Sequence, residues 1–139
     1  MMQDSIIIEK RHKRFIKKIC ESEIVFGLKN HKGFTLSSSI NRENSEGKPL
    51  GIICFWSEKS LAKSCTEKDW LDYKVSEILL SDFIENWCLG MENDELLVGS
   101  EFDRIMFGFA SEPMELIIEL ISELKSTGKD LNFKNLKKL

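Results

Sequence analysis

The run from Leu50 to Trp56 is the feature that most constrains the fold of this chain. All of its residues are apolar except Gly51, a pattern typical of a β-strand that is covered on both faces. With 139 residues, the chain has the length of one domain, which can bury a single core around such a strand. We therefore expect a single domain whose sheet contains this run.

Helical periodicity appears near both ends of the chain. Residues 6–21 place apolar side chains at the spacing of one helix face, and a second apolar stripe follows Pro113. Between them, Ser57 and Ser81 each precede a short helical stretch, as N-cap residues do. Gly90 is expected to end the second of these short helices. The pattern predicts three to four helices.

Apolar and alternating runs predict the remaining strands, at residues 24–28, 34–38, 73–80, 96–99 and 105–109. The first two flank a short polar link that ends in glycine, as in a β-hairpin. Together with the helices, these runs predict an α+β fold. We expect a mostly antiparallel sheet of about five to six strands, with the helices packed on it in a single layer.

Two polar segments are expected to lie outside the regular structure. Residues 39–49 break any periodicity and predict an exposed, mobile loop. Residues 129–139 form a basic C-terminal tail that either docks on the domain or frays. The globular domain is therefore expected to span residues 1–128.

The charges are distributed unevenly along the chain. Residues 39–124 contain seven basic and eighteen acidic side chains, a net charge of −11, whereas the segments before and after carry +4 each. An acidic body repels nucleic acid, so we expect no nucleic-acid partner. The basic run at 10–18 lacks the interleaved aromatic residues that stack on bases, and a solvated helix face is the favoured interpretation. Nucleic-acid binding through this run remains a third hypothesis.

The cysteines indicate a reducing compartment. Cys20, Cys54, Cys65 and Cys88 are irregularly spaced in apolar surroundings, and none forms a C-x-x-C pair. We therefore expect reduced, mostly buried thiols, no metal, no cofactor and a cytoplasmic location. No apolar run approaches the roughly 20 residues that span a bilayer, so no membrane partner is expected.

No catalytic constellation is recognisable in the sequence. The only histidines are His12 and His31; neither lies at a strand end or a nucleophile elbow, and G-x-S-x-G does not occur. His12 is interpreted as a half-buried helix residue rather than a ligand. The carboxylates at 69–72 and 92–95 could act as acid–base pairs, but they lie in polar turns. These observations favour a protein that is not an enzyme.

The aromatic residues divide into two groups. Trp56 and Trp87 have apolar neighbours and are expected to seal the core. Trp70 and Tyr73 stand among charged residues, which leaves two interpretations open: they seal the core as well, or they are partly exposed and serve as interface anchors. The predicted partner surface comprises Asp69, Trp70, Asp72, Tyr73, Glu92, Asp94 and Glu95. The predicted core includes Phe15, Phe55, Trp56, Phe83, Trp87, Ile117 and Ile121.

Several short motifs occur in a recognisable order: Phe55-Trp56-Ser57, Leu61-Ala62, Trp70, Tyr73-Lys74, Asp82-Phe83, Trp87, Leu89-Gly90-Met91 and Leu97-Val98-Gly99. This order resembles a small bacterial family, the domain of unknown function 2750, and the resemblance covers roughly residues 9–124. Leu89 stands where members usually have proline, and Phe26 replaces a usual tryptophan. The resemblance implies a compact α/β domain of uncharacterised role with no established catalytic group.

Two hypotheses from different classes follow. The favoured one is a non-catalytic module that binds another protein through the acidic, aromatic surface near residues 67–95, for example an immunity-type protein that neutralises a basic toxin. The alternative is a small-molecule-binding protein or enzyme that uses a pocket among the tryptophans. The sequence leaves open whether the chain is a monomer or a homodimer.

Overall fold

The computed structural model describes residues 2–67, 70–131 and 133, without the side chains of residues 2–4, 40 and 41. Within these residues there are four helices: α1 (Met2–Ser22), α2 (Lys59–Ser64), α3 (the consecutive segments Leu80–Asp82, Phe83–Cys88 and Leu89–Asn93) and α4 (Pro113–Ser126). The middle segment of α3 is π-helical. The strands are β1 (Ile24–Asn30), β2 (Gly33–Phe34), β3 (Leu36–Glu43), β4 (Pro49–Trp56), β5 (Lys74–Leu79), β6 (Leu96–Ser100) and β7 (Phe109–Ser111).

All seven strands belong to one mixed sheet. Its main path runs β2–β1–β4–β6–β7, while β3 pairs with β4 and β5 pairs with β1. Strands β4 and β6 are parallel, with Gly51 opposite Leu96 and Phe55 opposite Ser100, and the other pairs are antiparallel. The predicted α+β class is confirmed, although the sheet has seven strands and one parallel pair. The apolar run at 50–56 is the strand β4, which has paired neighbours on both edges.

The two faces of the sheet carry separate apolar clusters, because successive side chains of a strand point to opposite faces. Phe55 of β4 belongs to the cluster on the first face, which α1, α3 and α4 cover. Cys54 and Trp56 belong to the cluster on the second face, which is covered by α2 and the turn at Trp70. The expectation of helices in a single layer was therefore wrong, since α2 lies opposite the other three.

The predicted core residues lie in these clusters. Five of them are fully buried, namely Phe15, Phe55, Trp56, Phe83 and Ile117. Trp87 and Ile121 pack against the first-face cluster but are only partly buried. The Trp87 ring meets Phe34 and Phe55 edge-on, with ring centroids 4.5 and 5.7 Å apart, which is the favoured geometry for aromatic pairs.

The segment that follows α4 is docked at its beginning. Lys129 places its Nζ at the C-terminus of α1, where it donates to the carbonyl oxygens of Cys20 and Glu21 at 2.8 and 2.7 Å. A cation at this position satisfies free carbonyls and complements the helix dipole. Leu131 and Phe133 pack against the first-face cluster. Of the predicted tail, Lys129, Leu131 and Phe133 therefore contact the domain, while residues 132 and 134–139 lie outside the described residues.

The polar segment 39–49 is more ordered than predicted. Strand β3 continues to Glu43 and pairs with β4, because backbone hydrogen bonds form whatever the polarity of the exposed side chains. A turn follows, in which the Asn44 side chain accepts hydrogen bonds from the amides of Glu46 and Lys48 at 2.9 and 3.0 Å. Only the turn resembles the predicted loop.

The predicted helix ends also differ from the structure. Helix α2 has Glu58 rather than Ser57 as its N-cap, and neither Glu58 nor Leu79, which precedes α3, makes a side-chain cap bond. Ser81 lies inside α3, and Gly90 does not end this helix, which continues to Asn93. Among the described residues, no helix combines the length and the apolar character needed to cross a membrane.

Candidate functional site

The carboxyl ends of the parallel strands β4 and β6 meet at one edge of the sheet. The segment that leaves β6 there, residues 101–108, connects it to β7, and we call it the display loop. The apolar run at 105–109 predicted a strand in this place, but only Phe109 begins one. The loop does not pair with a neighbouring strand, and its conformation is fixed by side chains of α1 and β4 and by Ser57 and Cys65, which flank α2.

Glu101 anchors the first residue of the display loop. Its side chain is buried and accepts hydrogen bonds from the amide and hydroxyl of Ser57, both at 2.8 Å, and from Arg14 at 3.0 Å. The residue has a positive φ of 55°, which is uncommon for a residue other than glycine. These three bonds satisfy a buried carboxylate and hold the backbone in this costly conformation.

Phe102 fixes the loop to the second face. Its carbonyl oxygen accepts hydrogen bonds from Trp56 Nε1 at 2.8 Å and from Cys65 Sγ at 3.3 Å. Its ring packs directly on Gly99 and Gly108, where an added Cβ would come within 2.7 and 2.1 Å of the ring. Because Gly99 and Gly108 have no side chain, they leave the space that the Phe102 ring occupies.

Asp103 shapes the remainder of the loop. One carboxylate oxygen accepts hydrogen bonds from the amides of Ile105 and Phe107, both at 3.0 Å, and the other accepts from Arg11 at 3.1 Å. The Asp103 amide also donates to the Phe107 carbonyl at 2.8 Å. Met106 completes the turn with a φ of 69°. An aspartate that captures local amides in this way competes with strand pairing, which explains why the predicted strand does not form.

The tip of the display loop is apolar and exposed. Ile105, Met106 and Phe107 retain 69, 40 and 54% of their surface in contact with solvent. Single exposed apolar residues are common, but three in succession on a fixed loop form a patch of the kind found at binding sites.

A cavity of about 230 Å³ lies beside this tip. It is lined by Leu36, Ser37, Cys65, Glu67, Trp70, Arg104 and Met106. Arg104 and Glu67 form an exposed ion pair at 3.7 Å. The cavity therefore combines an apolar lining with one charge of each sign.

Of the predicted partner surface, the part around Trp70 lies on the second face. Trp70 is only 8% exposed and packs against Trp56, so of the two interpretations left open for this residue the structure supports burial in the core. The rings of Trp70 and Tyr73 meet at a centroid distance of 6.4 Å, and Tyr73 is half-buried. Asp72 is exposed and accepts a hydrogen bond from Asn30 at 3.0 Å. Asp69 lies outside the described residues.

The acidic part of that surface follows α3. Glu92, Asp94 and Glu95 are all exposed, and Glu95 accepts hydrogen bonds from the amide and hydroxyl of Ser45 at 2.9 and 3.0 Å. Because α3 packs on the first face and Trp70 packs on the second, the structure places the two parts of the predicted surface on segments that cover opposite faces. Binding of a partner by these residues stays a prediction.

His12 is fully enclosed rather than half-buried. Its Nδ1 lies 2.7 Å from Ser100 Oγ, its Nε2 lies 2.9 Å from Glu119 Oε1, and its ring stacks on Phe109. The hydrogen-bonded series Ser100–His12–Glu119 resembles the catalytic triad of a hydrolase. However, Ser100 is fully buried, so a substrate could not reach its hydroxyl. The contacts instead connect α1 with β6 and α4.

The four cysteines are buried and free, as predicted. Burial raises the pKa of the Cys20 thiol to about 12, and burial also raises the pKa of Cys54, Cys65 and Cys88. Thiols in this state are protonated near neutral pH and are poor nucleophiles. In the part of the chain that the structure describes, no three histidine, cysteine, aspartate or glutamate side chains are grouped so that they could hold a metal ion.

The residues that build the display loop were missed in the sequence. Arg11 and Arg14 were interpreted as members of a solvated helix face, whereas they pair with Asp103 and Glu101, respectively. These partners lie 92 and 87 residues away in the chain, a separation at which no local pattern operates. The isolated Gly99 and Gly108, which precede and follow Phe102 in the chain, were the one available signal.

The comparisons with known proteins agree with the resemblance seen in the sequence. No curated protein and no solved structure matches the chain. One family model matches residues 12–120, which include all the elements from β1 to β7 and about half of α1. The chain therefore belongs to the family described as "Protein of unknown function (DUF2750)".

Proposed function

We propose that this chain is a non-catalytic protein-binding module that contacts its partner through the tip of the display loop. The observation that carries this proposal is the exposure of Ile105, Met106 and Phe107 on a loop whose backbone is fixed by Asp103 and Glu101. Large apolar side chains that protrude from a rigid support are the usual centres of protein interfaces.

The rigidity of the loop supports the proposal further. A loop that is already ordered loses little conformational freedom on binding, so more of its contact energy appears as affinity. Two of the four non-glycine residues with positive φ in the described chain, Glu101 and Met106, lie in this loop. Backbone strain of this kind is concentrated at functional sites, where the surrounding structure maintains it.

The charge of the domain suits a basic partner. The net charge of −11 over residues 39–124 would accelerate the approach of such a protein without contributing much to the final contact. An immunity-type role, in which the module neutralises a basic toxin, is the most specific form of this proposal. In that form, the exposed Asp72, Glu92 and Asp94 steer the partner, and the display loop makes the buried contact.

The small-molecule alternative receives less support. The cavity at Trp70 has a volume of about 230 Å³ and a second one, beside Trp87, about 280 Å³. Both lie below the roughly 300–1,000 Å³ of typical ligand sites. The tryptophans also lie on two faces of the sheet and do not surround a common pocket.

Affinity capture from a bacterial lysate tests the proposal. Three baits are compared: the wild type, a loop variant with Ile105→Ser and Phe107→Ser, and a control with Ile118→Ser, which removes an equally exposed side chain from α4. We expect the loop variant to lose a protein that both other baits retain. Equal recovery by all three baits would show that the loop is not the contact.

A fourth bait, with Asp72→Lys and Glu92→Lys, tests the acidic residues separately. If they only steer the partner, this bait captures it more slowly, and the loss is smaller at high salt. A complete loss of capture at every salt concentration would instead place these residues in the contact itself.

A further inference from the structure

We propose that the display loop and the cavity beside it form a reciprocal contact between two copies of this chain. The inference rests on the proposed function of the loop, and it replaces the basic partner considered there with a second copy of this chain. In this contact Phe107 of each copy, the knob, enters the cavity at Trp70 of the other copy, the hole.

The knob is a side chain that the fold holds away from its own core. Phe107 is 54% exposed although its amide and its carbonyl are both bonded to Asp103. The Arg11 guanidinium lies 3.5 Å from the same carbonyl. The backbone that carries the ring is thus fixed at several points while the ring remains available for contact.

The hole has the size and lining that an aromatic ring requires. Its volume is about 230 Å³, whereas a cavity of roughly 150 Å³ already holds a benzene molecule. Leu36, Trp70 and Met106 provide apolar contact surface around it. Leu36 is itself 59% exposed, so a ring that enters the hole also covers this side chain.

Knob and hole are adjacent on one surface. Met106 lines the hole and is the immediate neighbour of Phe107 in the chain. A two-fold axis that passes close to Met106 would place each knob at the other copy's hole. Such an isologous contact uses the same patch twice and closes on itself as a dimer.

The charges at the rim fit a second copy. Arg104 and Glu67 are 65 and 53% exposed and form only a long pair at 3.7 Å within one chain. Around a two-fold axis, Arg104 of one copy can approach Glu67 of the other, so that both charges are paired across the contact. A rim with a single sign of charge would repel an identical copy, whereas this rim attracts one.

Sedimentation velocity of the full chain tests the inference over roughly 1 µM to 1 mM, the range in which weak protein contacts dissociate. The knob variant is Phe107→Ser and the hole variant is Ser37→Trp, which fills the cavity from a strand position that accepts aromatic residues. The control is Ile118→Ser. Circular dichroism and thermal unfolding confirm that all variants fold.

We expect the wild type and the control to form dimers, and each variant alone to dissociate about tenfold or more readily. An equimolar mixture of the two variants regains part of the association, because the intact knob of one enters the intact hole of the other. A wild type that is monomeric throughout, dimers that survive both substitutions, or a mixture with no recovery would each overturn the inference. Loop-dependent capture of a different protein by a monomeric wild type would leave the proposed function intact.

Discussion

The two faces of the sheet are covered in different ways. The first face lies under α1, α3 and α4, and its cluster includes fully buried residues from all three helices and from β1, β4 and β6. The second face lies under the six-residue α2, the turn at Trp70 and the display loop. The first face is covered by regular structure and has a cavity beside Trp87, whereas the second is closed by loops that leave a cavity and an exposed apolar tip.

This difference indicates where the molecule can bind. A face covered by long helices keeps most of its apolar side chains in the core. A face closed by loops retains apolar side chains that the loops leave exposed. Because buried and charge-assisted hydrogen bonds hold these loops, the exposed apolar surface is supported by a rigid structure and is not a frayed edge.

The largest expected effect compares one phenylalanine from each face. Phe83 is fully buried on the first face and meets the Phe55 ring edge-on at 4.9 Å, so Phe83→Ala should lower the free energy of unfolding by about 3–5 kcal/mol. Phe107→Ala removes the same atoms from the exposed tip and should change it by about 0.5 kcal/mol or less. Urea unfolding of the two variants measures both values. Similar losses would mean that the tip belongs to the core.

The sequence predicts the helix-covered face better than the loop-closed face. The periodicity of residues 6–21 and the stripe after Pro113 correspond to α1 and α4, since long amphipathic helices are determined by their own spacing. The continuous run at 50–56 corresponds to β4. These are local signals, and the tertiary structure agrees with them.

The display loop was not predicted, because long-range contacts determine it. The apolar run at 105–109 has the composition of a strand, but the amides of Ile105 and Phe107 donate to Asp103 instead. Ser57 is of a residue type that favours the N-cap position, but its hydroxyl donates a hydrogen bond to Glu101, 44 residues away. Each of these hydrogen bonds depends on which side chain the tertiary structure places near the donor group. A local sequence pattern does not contain this information.

The next prediction concerns the glycines that support the loop. Gly108→Ala would place a Cβ within 2.1 Å of the Phe102 ring, and overpacking of this kind typically costs about 1–3 kcal/mol. We expect a loss near the upper end of this range. In Gly90→Ala the added Cβ meets nothing within 4 Å, and alanine should stabilise α3 by about 0.5–1 kcal/mol.

Thermal unfolding of both glycine variants provides the comparison, with opposite signs expected. If Gly108→Ala were neutral, Phe102 would be free to move, and the display loop would not be held as rigidly as the structure indicates.

A smaller effect is expected when the loop loses its internal support. Asp103→Ala removes the acceptor for the amides of Ile105 and Phe107 and for Arg11, and should cost about 1–2 kcal/mol. Hydrogen exchange at these two amides should accelerate much more than exchange at Val98 in β6, because the opening is local. The control is Asp94→Ala, whose side chain is exposed and outside the loop. Unchanged exchange at both amides would contradict the role of Asp103.

The smallest effect concerns an exposed link between α1 and the N-cap of α2. The hydrogen bond from Lys18, at 2.9 Å, lowers the pKa of the Glu58 carboxyl below its ordinary value of 4.5, and nearby Arg14 acts in the same direction. A lowered pKa in the folded protein means that the pair contributes its full stabilisation when the pH lies above the pKa of Glu58 in the unfolded chain. That contribution is lost as the pH falls through the lower folded value. Because both side chains are over 40% exposed, the contribution should be only a few tenths of a kcal/mol and should decrease with added salt.

The difference in unfolding free energy between wild type and Glu58→Gln, followed from neutral to acidic pH, measures this contribution. This difference in unfolding free energy should disappear at low pH. It should also be absent at every pH when both proteins carry Lys18→Met, because the double-mutant cycle isolates the contribution of the Lys18–Glu58 pair. A difference that persists at low pH would mean that Glu58 stabilises α2 through its packing rather than its charge. The ion pairs of Arg14 with Glu101 and of Arg11 with Asp103 would then be the electrostatic links between α1 and the loop-closed face.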